Sequence, residues 1–311
     1  LDFTTGSWTI FQNPSVKMIG INTARFDATK HHSHAVVGDA RETLVELSST
    51  LGNYRASDAW STTAATEVAK SNAYIDKLAA ATSTSETGLP TYAQVVGAID
   101  RKADEHTFAL AAAGGFPGEV NNGWRTKHLN SFDCEYGFSC MGYEVSGGWG
   151  AAMALPDKDV VVFVGDGSYL MLNSDIYSSV IHGHKMIVIV CDNGGFAVIN
   201  RLQINTGGVP YNNLIKDNPT VVNPVAVDFA AHAAAMGALS ESVASIDELE
   251  AAYDRAKAAD RTTVISLVTD AYSWTEGGSF WQVGIPEVSD LQGVRDAKAE
   301  WDEGLNDQRI G

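Results

Sequence analysis

The sequence predicts an α/β fold: a doubly wound, mostly parallel sheet, preceded by the tail of another α/β domain. Three observations point there. Residues 160–164 and 186–191 are unbroken apolar runs of strand length, as parallel strands covered on both faces should be. Between them Leu172, Ile176, Val180 and Ile181 recur at helical spacing, which makes a strand–helix–strand unit with parallel strands. From Thr91 onward, helical and strand patterns alternate along the chain.

The first 52 residues read as the end of a domain. Residues 17–21 predict a short strand, and residues 39–51 an amphipathic helix with Ala40, Leu44, Leu47 and Leu51 along one side. One strand and one helix cannot close a core. Between them stand His31, His32 and His34; imidazole is a common metal ligand, but no acidic or cysteine partner follows at regular spacing, so a solvated loop is the simpler account. Residues 53–88 read as a linker with a helix over 62–82, ending in a Ser/Thr/Gly/Pro loop.

The main domain is expected over residues 89–290. It begins with a helix at 92–103 and a strand at 107–112, then a turn at 113–118. In that turn Gly114 and Gly115 permit either a tight strand-to-helix turn or the approach of a ligand, and Pro117 suits the first turn of a helix. A helix at 144–154 is crowded with Gly147, Gly148 and Gly150, so something packs closely on it. Residues 200–220 read as a polar surface excursion, 225–236 and 247–259 as helices, and 262–268 as the last buried strand. His232, among alanines, reads as a satisfied interior residue; His182 and His184 flank Gly183 at a helix end, where capping is the simpler role. Trp274, Phe280 and Trp281 lie on an irregular stretch that reads as an aromatic flap, and 291–311 as a charged tail helix.

Composition narrows the function classes. The chain has 311 residues, 45% hydrophobic and 19% charged, with a formal net charge of −17. That charge argues against nucleic acid or an anionic membrane surface as a partner. No apolar run approaches the roughly 20 residues of a membrane-spanning helix. Cys134, Cys140 and Cys191 show no metal spacing and suit a reducing compartment, so the cytoplasm is the expected location.

The polar residues that matter follow the two buried strands. Gly165-Asp166-Gly167-Ser168 comes after the first and Asp192-Asn193-Gly194-Gly195 after the second. Asp166 and Asn193 are 27 positions apart in the chain but at adjacent strand ends in space, where ligands bind in such folds. A carboxylate, a side-chain amide and a freed backbone carbonyl are hard oxygen ligands, suited to Mg²⁺ when phosphate oxygens complete its shell. Gly167 lets backbone N–H groups approach a phosphate, and a helix N-terminus beyond it favours the negative charge.

Gly165-Asp166-Gly167-Ser168, with an Asn followed by Gly-Gly 27 positions after its Asp, resembles the diphosphate motif of thiamine-diphosphate enzymes. The family pattern usually ends in Asn-Asn; here Asp192 replaces the first Asn and Asn193 keeps the ligand position. The resemblance implies thiamine diphosphate and Mg²⁺ as cofactors, with Asp166, Asn193 and Gly195 holding the metal. It implies further cofactor contacts from Gly114, Gly115, Gly165, Gly167, Ser168 and Phe196. Met141, 25 positions before Asp166, falls where the family wedges an apolar side chain between the two cofactor rings. Ser139 falls where a backbone carbonyl accepts from the pyrimidine amine.

Four segments, 134–144, 165–176, 192–202 and 277–289, resemble more narrowly the trihydroxycyclohexane-1,2-dione hydrolases of myo-inositol breakdown. That implies opening of a cyclic diketone substrate by carbon–carbon hydrolysis. It also implies an activating glutamate on a pyrimidine-binding domain that these residues lack. Glu119, Glu135 and Glu144 are the acids near the site and belong to the diphosphate half. Active sites built between two chains imply a homodimer or homotetramer. An acetolactate-synthase-like carboligase and a non-catalytic cofactor-binding fragment remain the alternative readings.

Overall fold

The computed structural model describes residues 5–135, 137–277 and 282–308. It parts into two compact units, Leu1–Ala69 with Gly277–Gly311, and Lys70–Glu276. The expected 89–290 domain and the larger unit have residues 89–276 in common.

In the smaller unit, β1 (Ile19–Asn22) pairs in parallel with β2 (His34–Val37), with the four-residue α1 (Arg25–Ala28) between them. The second strand corrects the sequence expectation of one strand and a histidine loop: the β-branched Val36 and Val37 draw His34 into an extended strand. His31 and His32 lie in the turn before it, at φ 60° and 54°. α2 (Ala40–Leu51) is capped by Asp39, whose carboxylate accepts from the N–H groups of Arg41 and Glu42. A helix over Gln292–Asn306, with Val294 buried, belongs to the same unit.

α3 (Asp58–Ala79) runs from the first unit into the second. The larger unit then reads α4 (Tyr92–Lys102), β3 (Thr107–Ala111), α5 (Phe116–Gly123), β4 (Phe132–Cys134), α6 (Tyr143–Ala154) and β5 (Asp159–Gly165). It continues with α7 (Asp166–Met171), α8 (Asp175–His182), β6 (Ile187–Asp192), α9 (Ala197–Asn205), α10 (Phe229–Ala235), β7 (Leu239–Val243), α11 (Ile246–Ala258) and β8 (Thr263–Val268). The sheet order is β4-β3-β5-β6-β8-β7, every pair parallel.

Alternation along the central strands builds a core on each face. Val161, Phe163, Ile187 and Ile189 pack with Val95, Ile99, Phe116, Leu249 and Tyr253 of α4, α5 and α11. Val160, Val162, Val188 and Val190 pack with Val145, Ile176, Phe229 and Ala233 of α6, α8 and α10. The small residues of α6 have their explanation here, since a side chain at Gly148 would meet Val162 at 2.3 Å.

Three expectations need correction. The helix expected over 172–181 begins only at Asp175, as α8: a separate helix, α7, starts at Asp166 itself, and Leu172 between them is extended (φ −152°, ψ 94°) and pressed against Gly142. The edge strands β4 and β7 were not foreseen, because Phe132-Asp-Cys134 is too short and Leu239-Ser-Glu-Ser-Val243 too polar to read as buried strands. The excursion at 200–220 begins inside α9, with Asn200 buried, and the helix expected from 225 begins only at Phe229.

Candidate functional site

Strand order fixes where a site can form. From β3 the chain goes outward to β4 through α5 on one face; from β5 it goes inward to β6 through α8 on the other. The carboxyl ends of β3 and β5 therefore flank a crevice at which the winding reverses, the usual ligand position of such sheets.

At the end of β5, Asp166 is 6% exposed, and the β5–β6 register sets Gly165 beside Cys191 so that Asp166 and Asp192 emerge side by side. Burial and then the Asp192 charge push the Asp166 carboxyl up to about 7, while the backbone N–H groups of Gly167, Gly195 and Asn193 pull it down. A cation at this point would hold it ionised.

Asn193 completes the arrangement. One end of its amide meets the Tyr92 hydroxyl at 2.8 Å. The opposite end of the amide lies 2.9 Å from the Gly195 carbonyl and 3.3 Å from Asp166 Oδ1, two acceptors. With the nitrogen on Tyr92, three oxygens converge with no proton among them; turned over, the amide would donate to both. Three convergent oxygens from a carboxylate, an amide and a carbonyl suit Mg²⁺.

The loop is held in shape for this. Asp192, the departure from Asn-Asn, accepts the Gly194 N–H at 2.9 Å and so closes the turn. Gly195 has φ +139°, and a side chain there would run into the Asn213 carbonyl at 2.5 Å. Phe196 N–H donates to that carbonyl and Ile215 N–H donates to the Gly194 carbonyl.

Above this loop, a side chain at Gly167 would meet the Phe196 ring at 2.7 Å and the Met141 methyl at 3.5 Å. Met141 and Phe196 thus close over the same backbone, each still about two-fifths exposed. Glu135 secures the loop before Met141, accepting from Phe138 N–H at 2.9 Å and Cys140 N–H at 2.7 Å, with Ser139 between them at φ 52°. Tyr136 lies outside the described residues.

Other candidates are already engaged by the protein. The Ser168 hydroxyl donates to Glu144 at 2.7 Å. A side chain at Gly115 would collide with the Trp274 ring at 2.1 Å, so that glycine makes room for an aromatic ring, while Gly114 (φ +75°) faces open space. Trp274 is the described part of the expected flap; Phe280 and Trp281 lie outside the described residues. Glu119 accepts from Thr275 N–H at 2.9 Å and from its hydroxyl at 2.5 Å. Since α7 has six residues, a phosphate here would rest on individual N–H groups rather than on a helix dipole. His232 is satisfied by the Tyr169 hydroxyl at 3.0 Å. His184 caps through its backbone, whose N–H donates to the Ser179 carbonyl at 2.9 Å beside the left-handed Gly183, while its ring Nδ1 accepts from the Trp149 indole at 3.0 Å.

Sequence reasoning missed Tyr92. Its signal was a phenol among the apolar positions of an amphipathic helix, since a buried Tyr hydroxyl needs a partner.

The sequence profile of the thiamine pyrophosphate enzymes, C-terminal TPP-binding domain, matches residues 112–267. The chain is 34% identical over 331 aligned positions to 3D-(3,5/4)-trihydroxycyclohexane-1,2-dione hydrolase 2 of Bacillus cereus, covering 95% of this chain and 50% of that protein. The corresponding hydrolase of Bacillus thuringiensis (strain Al Hakam) matches with the same identity and coverage. The chain therefore spans about half the length of the curated relatives it matches. Among solved structures, thiamine diphosphate-dependent 4-hydroxybenzoylformate decarboxylase of Rhodococcus jostii RHA1 superposes with a TM-score of 0.62 at 18% identity, over 83% of this chain and 44% of its own. At that identity the likeness speaks for the fold alone.

Proposed function

The chain belongs to the thiamine pyrophosphate enzymes and carries their C-terminal TPP-binding domain; from that premise we propose that it is the diphosphate- and Mg²⁺-holding half of a hydrolase that opens a cyclic 1,2-diketone. The substrate in this reading is trihydroxycyclohexane-1,2-dione and the product 5-deoxy-glucuronate, a step of myo-inositol breakdown in the cytoplasm. The observation that carries the reading is the convergence of the Asp166 carboxylate, the Asn193 amide and the Gly195 carbonyl at adjacent strand ends. Similarity to the named hydrolases along 95% of the chain supports the substrate.

Each residue then has a task. Asp166, Asn193 and the Gly195 carbonyl hold the cation, and the N–H groups around Gly167 face the diphosphate. Met141 and Phe196 keep water off the backbone beneath them and shape the space for the rings. Bound thiamine diphosphate supplies an electron sink for cleaving the bond between two carbonyl carbons. Among the described residues no helix is long and apolar enough to cross a membrane.

The activating carboxylate, in this reading, comes from a pyrimidine-binding domain outside these 311 residues, in a homodimer or homotetramer. Glu119 is engaged by Thr275, Glu135 by the backbone of its own loop, and Glu144 is fully buried. Leu170, Met171, Leu172, Met141 and Phe196 form an exposed apolar rim that such a domain would cover. Residues 89–290 are the proposed diphosphate domain, after a middle-domain remnant at 1–52 and a linker at 53–88.

The test is turnover of the cyclic diketone with thiamine diphosphate and Mg²⁺, followed as acid release, beside an assay of pyruvate coupling. Diketone opening is expected only when the pyrimidine-binding half is present, on the same or a second polypeptide. Pyruvate coupling without diketone opening would turn the assignment to a carboligase. Robust turnover by a preparation shown by mass to hold only these 311 residues would end the divided-site reading.

A further inference from the structure

Glu144, in the first turn of α6, has no exposed surface. Its Oε1 accepts from the backbone N–H of Ala113 at 3.0 Å. Its Oε2 accepts from the Gly142 N–H at 2.9 Å and from the Ser168 hydroxyl at 2.7 Å. The Gly142 N–H also reaches Ser168 Oγ at 2.7 Å, which closes the triangle. One carboxyl group therefore spans the crevice between the ends of β3 and β5 and joins three segments: the turn after β3, the loop bearing Met141, and the start of α7 beside Asp166.

Fold stability alone is a poor reason for such a group. A buried carboxyl is expensive unless fully hydrogen-bonded, and apolar packing often serves stability equally well or better. What it supplies instead is geometry, because three donors from three loops fix those loops against one another. We propose that Glu144 is a positioning residue that holds Met141 in register with the diphosphate loop. The proposal rests on the thiamine-diphosphate reading of the site.

The chemistry requires two acceptor oxygens. In Glu144→Gln the volume stays but one oxygen becomes an NH₂. Placed at Oε1, that NH₂ faces the Ala113 N–H; placed at Oε2, it faces the Gly142 N–H. Either way one loop is released, while Asp166, Asn193 and the Gly195 carbonyl are untouched.

The experiment uses the full-length enzyme with thiamine diphosphate and Mg²⁺, comparing Glu144→Gln with wild type. Cofactor affinity by calorimetry should stay within about threefold, whereas kcat per bound cofactor should fall about tenfold or more. Amide hydrogen exchange across residues 137–145 should quicken in the variant before cofactor is added. A role in folding alone would lower the amount of cofactor-competent protein and leave kcat per bound cofactor unchanged, and that result overturns the proposal. If Glu144→Gln does not fold, Ser168→Ala decides: it removes one donor of three, and a smaller fall in kcat per bound cofactor is expected, while no fall overturns the proposal. Failure of the wild-type protein to bind thiamine diphosphate would strike the cofactor reading itself, and this proposal with it.

Discussion

The Tyr92 hydroxyl lies 2.8 Å from the side-chain amide of Asn193 and holds the end of it that faces away from Asp166 and Gly195. A phenol can donate or accept, so it satisfies the amide in either orientation. Tyr92 is itself fixed by stacking on Phe116, with ring centroids 3.9 Å apart. Tyr92→Phe leaves the nitrogen without an acceptor when the oxygen turns to a cation. Mg²⁺ affinity at saturating thiamine diphosphate should fall about tenfold, as for other partners that orient a metal ligand. Equal affinities by calorimetry would remove Tyr92 from the site.

Asp166→Ala and Asn193→Ala should each abolish Mg²⁺-dependent retention of thiamine diphosphate. Both residues stand at strand ends rather than in either core, so the circular dichroism spectrum should persist. Wild-type cofactor affinity in either variant would end the metal assignment.

Met141→Ala tests the ring-shaping role. Its methyl sits over Gly167. In the reconstituted enzyme kcat should drop further than cofactor affinity does. Unchanged turnover would leave Met141 as a packing residue only.

Glu119 gives a pH-dependent prediction. Burial raises its carboxyl above the ordinary value, offset in part by the Thr275 bonds and the Arg201 charge. The folded protein therefore binds that proton more tightly than the unfolded chain does. Its favourable contribution is full below the ordinary carboxylate pKa and is lost as the pH climbs through the raised one. Glu119→Gln can accept from the Thr275 N–H and donate to its hydroxyl without titrating. The melting temperature of the variant relative to wild type should rise as the pH climbs above the ordinary carboxylate pKa. A difference that does not vary with pH would show that Glu119 does not titrate in this range.

Gly115→Ala places a methyl 2.1 Å from the Trp274 ring. Overpacking of this kind costs about 1–3 kcal/mol. The melting temperature should fall and the tryptophan emission shift to the red as Trp274 gives way. Wild-type stability and emission would mean that the segment after β8 yields without cost.

The parts of this protein legible in its sequence are those whose physics is local. Residues 160–164 and 187–191 announce themselves because a strand buried on both faces has no polar position to spare. Asp166 and Asn193 stand out because parallel pairing of adjacent strands brings their ends together whatever lies between. The break at Leu172 is hidden: it depends on Gly142, 30 positions earlier, pressing on that side chain. Glu144 reads as an ordinary helix-start acid, since its three donors come from turns whose approach only the sheet order decides. The contacts of Tyr92 and Trp274 are hidden for the same reason, as their partners are 101 and 159 positions away.

The grip of Glu135 on Cys140 has a practical consequence for spectroscopy. Of the three cysteines, Cys191 is buried with its thiol pushed well above the usual range, and Cys134 is half-buried and pushed up to about 11. Cys140 is exposed, although slight burial and the neighbouring Glu135 charge raise its thiol as well. Mildly alkaline labelling should therefore attach a fluorophore or spin label at this one position. Such a probe would sit next to Met141 in the chain, on a backbone pinned at two N–H groups, and would report ring seating directly without waiting for turnover.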